Sequence, residues 1–173
     1  MTPRLLRVST AGILPIGALL LSALVMMPAE SATKKTSGNP FELLDGYWTG
    51  GGTVTPPKGH AEKVSCRVTY AVAGSSVTQN MRCAGTDYKF STSSKLTYSG
   101  GKISGSWSET TYDASGSVNG TASGNTVHAR ISGDKFSGRM SIKVSGSSHS
   151  INIMQLDKNS GSYRPAATVS LRR

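Results

Sequence analysis

From Gly46 to the end of the chain, apolar and polar residues alternate with a period of two, and turns containing glycine interrupt the alternation about every ten residues. In a strand, successive side chains point to opposite faces, so this pattern predicts antiparallel β structure with one dry face and one wet face. After Pro40 no amphipathic helix longer than a turn or two is expected, and Phe41 to Asp45 is the one candidate. The expected strands are 46–54, 62–72, 76–84, 87–99, 102–110, 115–122, 126–132, 135–144, 149–156 and 163–171. A break near Ser93 would split the fourth into two. An even count lets the last strand return beside the first, and closure removes exposed sheet edges. The expected fold is an all-β, about ten-stranded antiparallel up-and-down barrel.

Each hairpin can be tested for register, because a one-residue slip inverts every side chain. A turn at Gly74-Ser75 sets Val72 opposite Val77, Tyr70 opposite Gln79, Val68 opposite Met81 and Cys66 opposite Cys83. Counting outward by twos places the cysteines at a non-hydrogen-bonded site, where Cα atoms are about 4.5 Å apart. A Cys66–Cys83 disulfide is therefore expected. Gly85-Thr86 would set Cys83 opposite Tyr88 and Met81 opposite Phe90. Gly100-Gly101 sets Tyr98 opposite Ile103, and Gly124-Asn125 sets Ala122 opposite Val127. Gly133-Asp134 would set Ile131 opposite Phe136, Ala129 opposite Gly138 and Val127 opposite Met140, with His128 facing Arg139.

The inward positions then follow. Large ones are Trp48, Tyr70, Tyr88, Phe90, Tyr98, Trp107, Phe136 and Met140; small ones include Gly50, Gly52, Gly105, Gly120 and Gly138. Polar inward positions are Gln79, Thr92, Ser94, Glu109 and His149. A barrel of about eight strands is just filled by its own side chains, and a ten-strand barrel is wider. A small apolar or amphipathic ligand in the lumen is the resulting expectation. Its candidate lining is Trp48, Tyr70, Gln79, Tyr88, Phe90, Tyr98, Trp107, Phe136, Met140 and His149. The mid-strand glycines have a second reading, as places where the sheet bends.

The start of the chain changes where this barrel is expected to work. Arg4 and Arg7 precede an uncharged apolar run from Ala11 to Met27, and Ala29-Glu30-Ser31-Ala32 follows with small residues at cleavage spacing. This reads as a secretory signal cut after Ser31. Residues 32–40 read as a mobile arm and 41–173 as one domain. Export to a periplasmic or extracellular space suits an oxidised cysteine pair, and no transmembrane span is expected after cleavage.

The full chain of 173 residues carries a formal net charge of +10. Loss of Arg4, Arg7 and Glu30 leaves 17 basic and 8 acidic residues. An anionic envelope surface is one partner class for such a chain. Nucleic acid is not expected, because no aromatic stacking platform lies on the outer face. His60, His128 and His149 stand apart and form no metal-binding motif. No nucleophile elbow, phosphate-binding loop or dinucleotide fingerprint occurs. No cofactor and no enzymatic activity are expected.

The segment Leu44-Asp-Gly46-Tyr-Trp48-Thr-Gly50 resembles the Gly-x-Trp start of calycin-like barrels: lipocalins, fatty-acid-binding proteins, haem-binding nitrobindins and bacterial metalloprotease inhibitors. The resemblance implies that Trp48 closes the barrel floor. The nitrobindin likeness implies a proximal histidine late in the chain, for which His149 is the candidate. The inhibitor likeness implies a protease-binding module acting through the arm at 32–40 or the loop at 55–62. Cys66-Arg-Val-Thr-Tyr70, Arg82-Cys83-Ala and Ile103-Ser-Gly-Ser-Trp107 are similar to small exported proteins of alphaproteobacteria.

Overall fold

The computed structural model describes residues 39–56 and 59–173. The expected signal at 1–31 and residues 32–38 of the expected arm lie outside them. Ten strands form one closed ring: β1 (Gly46–Val54), β2 (Glu62–Ala73), β3 (Ser76–Ala84), β4 (Lys89–Ser99), β5 (Lys102–Glu109), β6 (Ala114–Ser123), β7 (Thr126–Gly133), β8 (Gly138–Ser145), β9 (Ser148–Leu156) and β10 (Tyr163–Arg172). Each strand is antiparallel to the next, and β10 closes on β1 through pairs such as Gly50 with Leu171. The barrel is therefore up-and-down, and β4 is one unbroken strand.

Burial follows parity. In β2 the inward residues Val64, Cys66, Val68 and Tyr70 are buried, and their neighbours face outward and are exposed. The β2–β3 register is the expected one, with Val72 opposite Val77 and Cys66 opposite Cys83. The Cys66–Cys83 disulfide is present, its Cα atoms 4.1 Å apart. The β4–β5 and β6–β7 pairings also match, with Tyr98 opposite Ile103 and Ala122 opposite Val127. Gly74 and Gly124 turn these hairpins at φ of 57° and 58°, where a side chain is disfavoured.

Two registers differ from expectation by two residues. Between β3 and β4, Cys83 faces Phe90 and Met81 faces Thr92. The turn is longer because the Gly85 N–H reaches the Tyr88 carbonyl at 2.8 Å, while the Glu62 carboxylate accepts the Asp87 N–H at 2.8 Å. Between β7 and β8, Ile131 faces Gly138, Ala129 faces Met140 and Val127 faces Ile142. Here the Ser137 hydroxyl closes a loop over 134–137 by donating to the Gly133 carbonyl at 3.1 Å. Phe136 thus lies in a loop, before β8 begins. His128 faces Ser141 instead of Arg139, and Arg139 faces Arg130. A shift of two preserves parity, so every inward residue stays inward while its height changes.

The two ends of the barrel differ. At the closed end, a 3-10 turn over Pro40–Leu43 plugs the opening, with Pro40, Phe41 and Leu44 buried. Asn39 and Pro40, the last two residues of the expected arm, belong to this plug: the Asn39 side chain accepts the Phe41 N–H and donates to the Gly74 carbonyl. The other end carries residues 55–56 and 59–61 and the loops 85–88, 110–113, 134–137 and 157–162, and has no such plug among the described residues.

Candidate functional site

The sequence-selected lumen residues divide into two groups. Trp48, Tyr70, Tyr98 and His149 lie toward the plugged end and form its packing. The Trp48 indole is fully buried and donates to the Leu44 carbonyl at 2.6 Å. The His149 ring meets it edge-on, centroids 4.6 Å apart, and lies 5.6 Å from Tyr70. Tyr98 packs edge-on against Phe41 of the plug. The Arg173 guanidinium lies over the Trp48 ring and donates to the Asp45 carbonyl at 2.7 Å. Burial pushes the Tyr70 phenol well above its ordinary range.

His149 is 3% exposed, and neither ring nitrogen has a hydrogen-bond partner. Burial, and secondarily the Arg173 charge, lower its pKa to about 4, so it is neutral at pH 7. Haem on His149, which the nitrobindin likeness implies, does not fit. Both nitrogens are shut off from solvent, and the aromatic neighbours fill the space a macrocycle needs.

Two half-buried aromatic pairs, Tyr88 with Phe90 and Trp107 with Phe136, lie toward the other end, with Phe90 and Trp107 pointing inward from β4 and β5. Tyr88 lies in the turn before β4, 5.7 Å from Phe90, and is stacked on Tyr112 at 5.6 Å with ring planes 18° apart. Phe136 meets Trp107 edge-on at 6.2 Å. Burial, then the Tyr112 phenol and the Glu109 carboxylate, push Tyr88 up to about 12. Gln79 and Met140 occupy mid-wall positions and are half-buried; Gln79 sits between Tyr70 and Ser94 in the cross-strand row, and Met140 between Ala129 and Ile153.

Two polar atoms in this upper group are buried without partners: the Trp107 Nε1 donor and the Thr92 hydroxyl. They belong to neighbouring strands, since Thr92 faces Glu109 and Ser94 faces Trp107. A buried polar group without a partner costs about 1–3 kcal/mol, so both atoms would gain from a hydrogen-bonding group that reached them.

Glu109 serves the rim. Its carboxylate accepts the N–H groups of Ser91 at 2.8 Å, Thr111 at 2.9 Å and Tyr112 at 2.6 Å. Burial alone would raise its pKa, but these donors together hold it below the ordinary value. The loops are stitched further by Lys135, which donates to the Tyr112 carbonyl and pairs with Asp113, and by Lys158, which donates to the Asp134 carbonyl.

The inward glycines are not empty lining. A Cβ on Gly105 or Gly116 would fall about 2 Å from a carbonyl oxygen of the adjacent strand, Lys95 or Ser132. These are points where strands bend and approach too closely for a side chain. Large groups also lie over several of them: the Leu96 side chain at Gly105, the Trp107 ring at Gly133 and Phe136 at Gly138. Of the two readings of these glycines, contact with the neighbouring backbone favours sheet bending over open space. The inward mid-wall residues Gln79, Leu96, Met140 and Ile153 are half-buried, as are the aromatic groups at the open end.

Tyr112 was not among the sequence candidates. It sits in the β5–β6 turn, 48% exposed, where parity carries no information. Its signal was the run Thr110-Thr-Tyr112-Asp, an aromatic in an otherwise polar turn. Among the described residues, no group of three or more His, Cys, Asp or Glu is placed to hold a metal, and no helix is long and apolar enough to cross a membrane.

No family model matches the sequence, and no curated protein matches it. The fold does have solved counterparts. The structure of Rv2717c from M. tuberculosis is similar with a TM-score of 0.63 at 14% identity, over 76% of this chain and 92% of that one. The S-type phycobiliprotein lyase CPES from Guillardia theta is similar with a TM-score of 0.54, also at 14% identity, over 77% of this chain and 89% of that one. These likenesses are of fold alone, and they agree with the closed ten-strand antiparallel barrel described above.

Proposed function

We propose that this protein is an exported, non-enzymatic barrel that takes a small apolar or amphipathic molecule into its aromatic end. One observation carries the reading. Tyr88, Phe90, Trp107 and Phe136 stay half-buried toward the open end, and the Trp107 indole N–H and the Thr92 hydroxyl of the same half of the barrel are buried without a partner. Ligand sites are mostly apolar with a few placed polar groups that set orientation, and this end has that composition. Tyr112, stacked on Tyr88 at the rim, forms part of the entrance. The Cys66–Cys83 disulfide and the leader pattern at 1–31 support export. The lyase CPES offers a barrel of the same type in a different role, so the fold by itself does not choose between binding and catalysis.

The test is to purify the protein, extract it with mild organic solvent and identify bound molecules by mass spectrometry. Titration with cis-parinaric acid and with fluorescent lipids then follows. A one-to-one complex weakened by Phe90→Ala is expected. Absence of any bound molecule, together with no response to any probe, would contradict the reading.

A further inference from the structure

The outer wall has a charge distribution that the lumen does not explain. Every charged residue on the outward face of a strand is Lys or Arg, and the remaining outward positions are largely Ser, Thr and Asn. The carboxylates stand elsewhere: Glu62, Asp87, Glu109, Asp113, Asp134 and Asp157 at the open end, Glu42 and Asp45 at the plugged end. Two arginine pairs face each other directly across neighbouring strands, Arg67 with Arg82 on β2/β3 and Arg130 with Arg139 on β7/β8. Like charges directly opposite are unfavourable, and no wall carboxylate offsets them.

The second pair lies in an open groove of ≈ 370 Å³ that also has Asn119, His128, Ser141 and Asn152 along it. Arg139 is held over the Tyr163 ring, its guanidinium carbon 4.1 Å from the centroid. A stacked guanidinium keeps its planar fork presented for a bidentate anion. Amides and hydroxyls on the same wall suit the hydroxyls of a sugar.

We infer that the Arg130–Arg139 groove binds an anionic polysaccharide, the two guanidiniums taking acidic groups of the chain and Asn119, Ser141 and Asn152 taking its hydroxyls. The ring order puts β2/β3 and β7/β8 half a turn apart. A flat lipid surface can meet one arginine pair at a time, whereas polymer strands can meet both. The wall also lacks the outward apolar band with which a barrel would enter a bilayer.

Affinity electrophoresis in gels containing polygalacturonate, with neutral dextran as control, tests this. Retardation by polygalacturonate alone is expected, and it should fade with added salt. R130Q/R139Q should weaken binding about fivefold or more, and R130Q alone, which leaves the Tyr163 stack in place, should weaken it by a smaller factor. K89Q/K95Q removes the same charge from β4 and should change binding less than twofold. The thermal midpoint of R130Q/R139Q should not fall, since facing like charges have been removed. Equal loss in the β4 variant, retention of binding in R130Q/R139Q, no retardation, or equally strong binding to vesicles of one part phosphatidylglycerol to three parts phosphatidylcholine would each overturn the inference.

Discussion

The two ends of this barrel use aromatic residues in opposite ways. At the plugged end, Trp48 packs against His149 and under Arg173, and its indole N–H is satisfied by the Leu44 carbonyl at 2.6 Å. At the open end, Trp107 is half-buried beside Phe136, and its N–H has no partner. Both tryptophans point inward on strands of the same ring. What separates them is closure: a 3-10 turn and the last arginine cover one, and only loops surround the other. The same residue type is thus a keystone at one end and an available surface at the other.

The contrast is broken most severely by truncating each tryptophan. Trp48→Ala should cost about 3–5 kcal/mol, the range for a large aromatic removed from a packed core. Trp107→Ala should cost about half as much or less, because the side chain is only partly buried and a buried unpartnered donor is removed with it. Urea unfolding of both variants checks this; equal losses would erase the distinction.

Acid probes the plugged end next. His149 titrates near 4 in the fold against 6.5 for an unburied histidine. The unfolded chain therefore binds the extra proton between those values, and stability falls as pH drops from about 6.5 to 4. The loss should be on the order of 1–3 kcal/mol. His149→Leu should flatten that part of the stability–pH curve. An unchanged slope would show that the buried imidazole is not responsible.

At the open rim, Glu109→Gln replaces a carboxylate that accepts three backbone N–H groups. A loss of about 1–3 kcal/mol is expected. Because its pKa is held below the ordinary 4.5, the contribution is present above that pH and disappears as the carboxylate is protonated in acid. Faster amide exchange at Thr111 and Tyr112 should accompany the change. The smallest effect on stability is expected at Tyr112: its replacement by Ala should shift unfolding by less than about 0.5 kcal/mol, yet weaken cis-parinaric acid binding severalfold. A variant that bound the probe normally would remove Tyr112 from the entrance.

Sidedness was legible in the sequence because it depends only on parity, and parity survived even where register moved. Cys66 and Cys83 could be paired for the same reason. The turns at 85–88 and 134–137 were misjudged because their length is set by contacts that spacing does not show. Glu62 holds the Asp87 N–H from another hairpin, and the Ser137 hydroxyl folds back on Gly133. The alternation did not separate Trp48 from Trp107, since both read as large inward residues, and only the Gly-x-Trp likeness pointed to Trp48 as the residue that closes the floor. Their difference comes from Phe41 and Leu44, which lie outside the alternation and fold across one end only. The mid-strand glycines carried two readings, and contact with neighbouring backbone favours bending over open space.

The most direct test of two unlike ends uses the two indole N–H signals in a 15N–1H correlation spectrum as dodecanoate, with its apolar tail and acceptor carboxylate, is added. The account predicts that the Trp107 signal moves saturably as its donor gains a partner, while the Trp48 signal, already bonded to Leu44, stays in place. Movement of Trp48 instead, or no movement of either as dodecanoate binds, would contradict it.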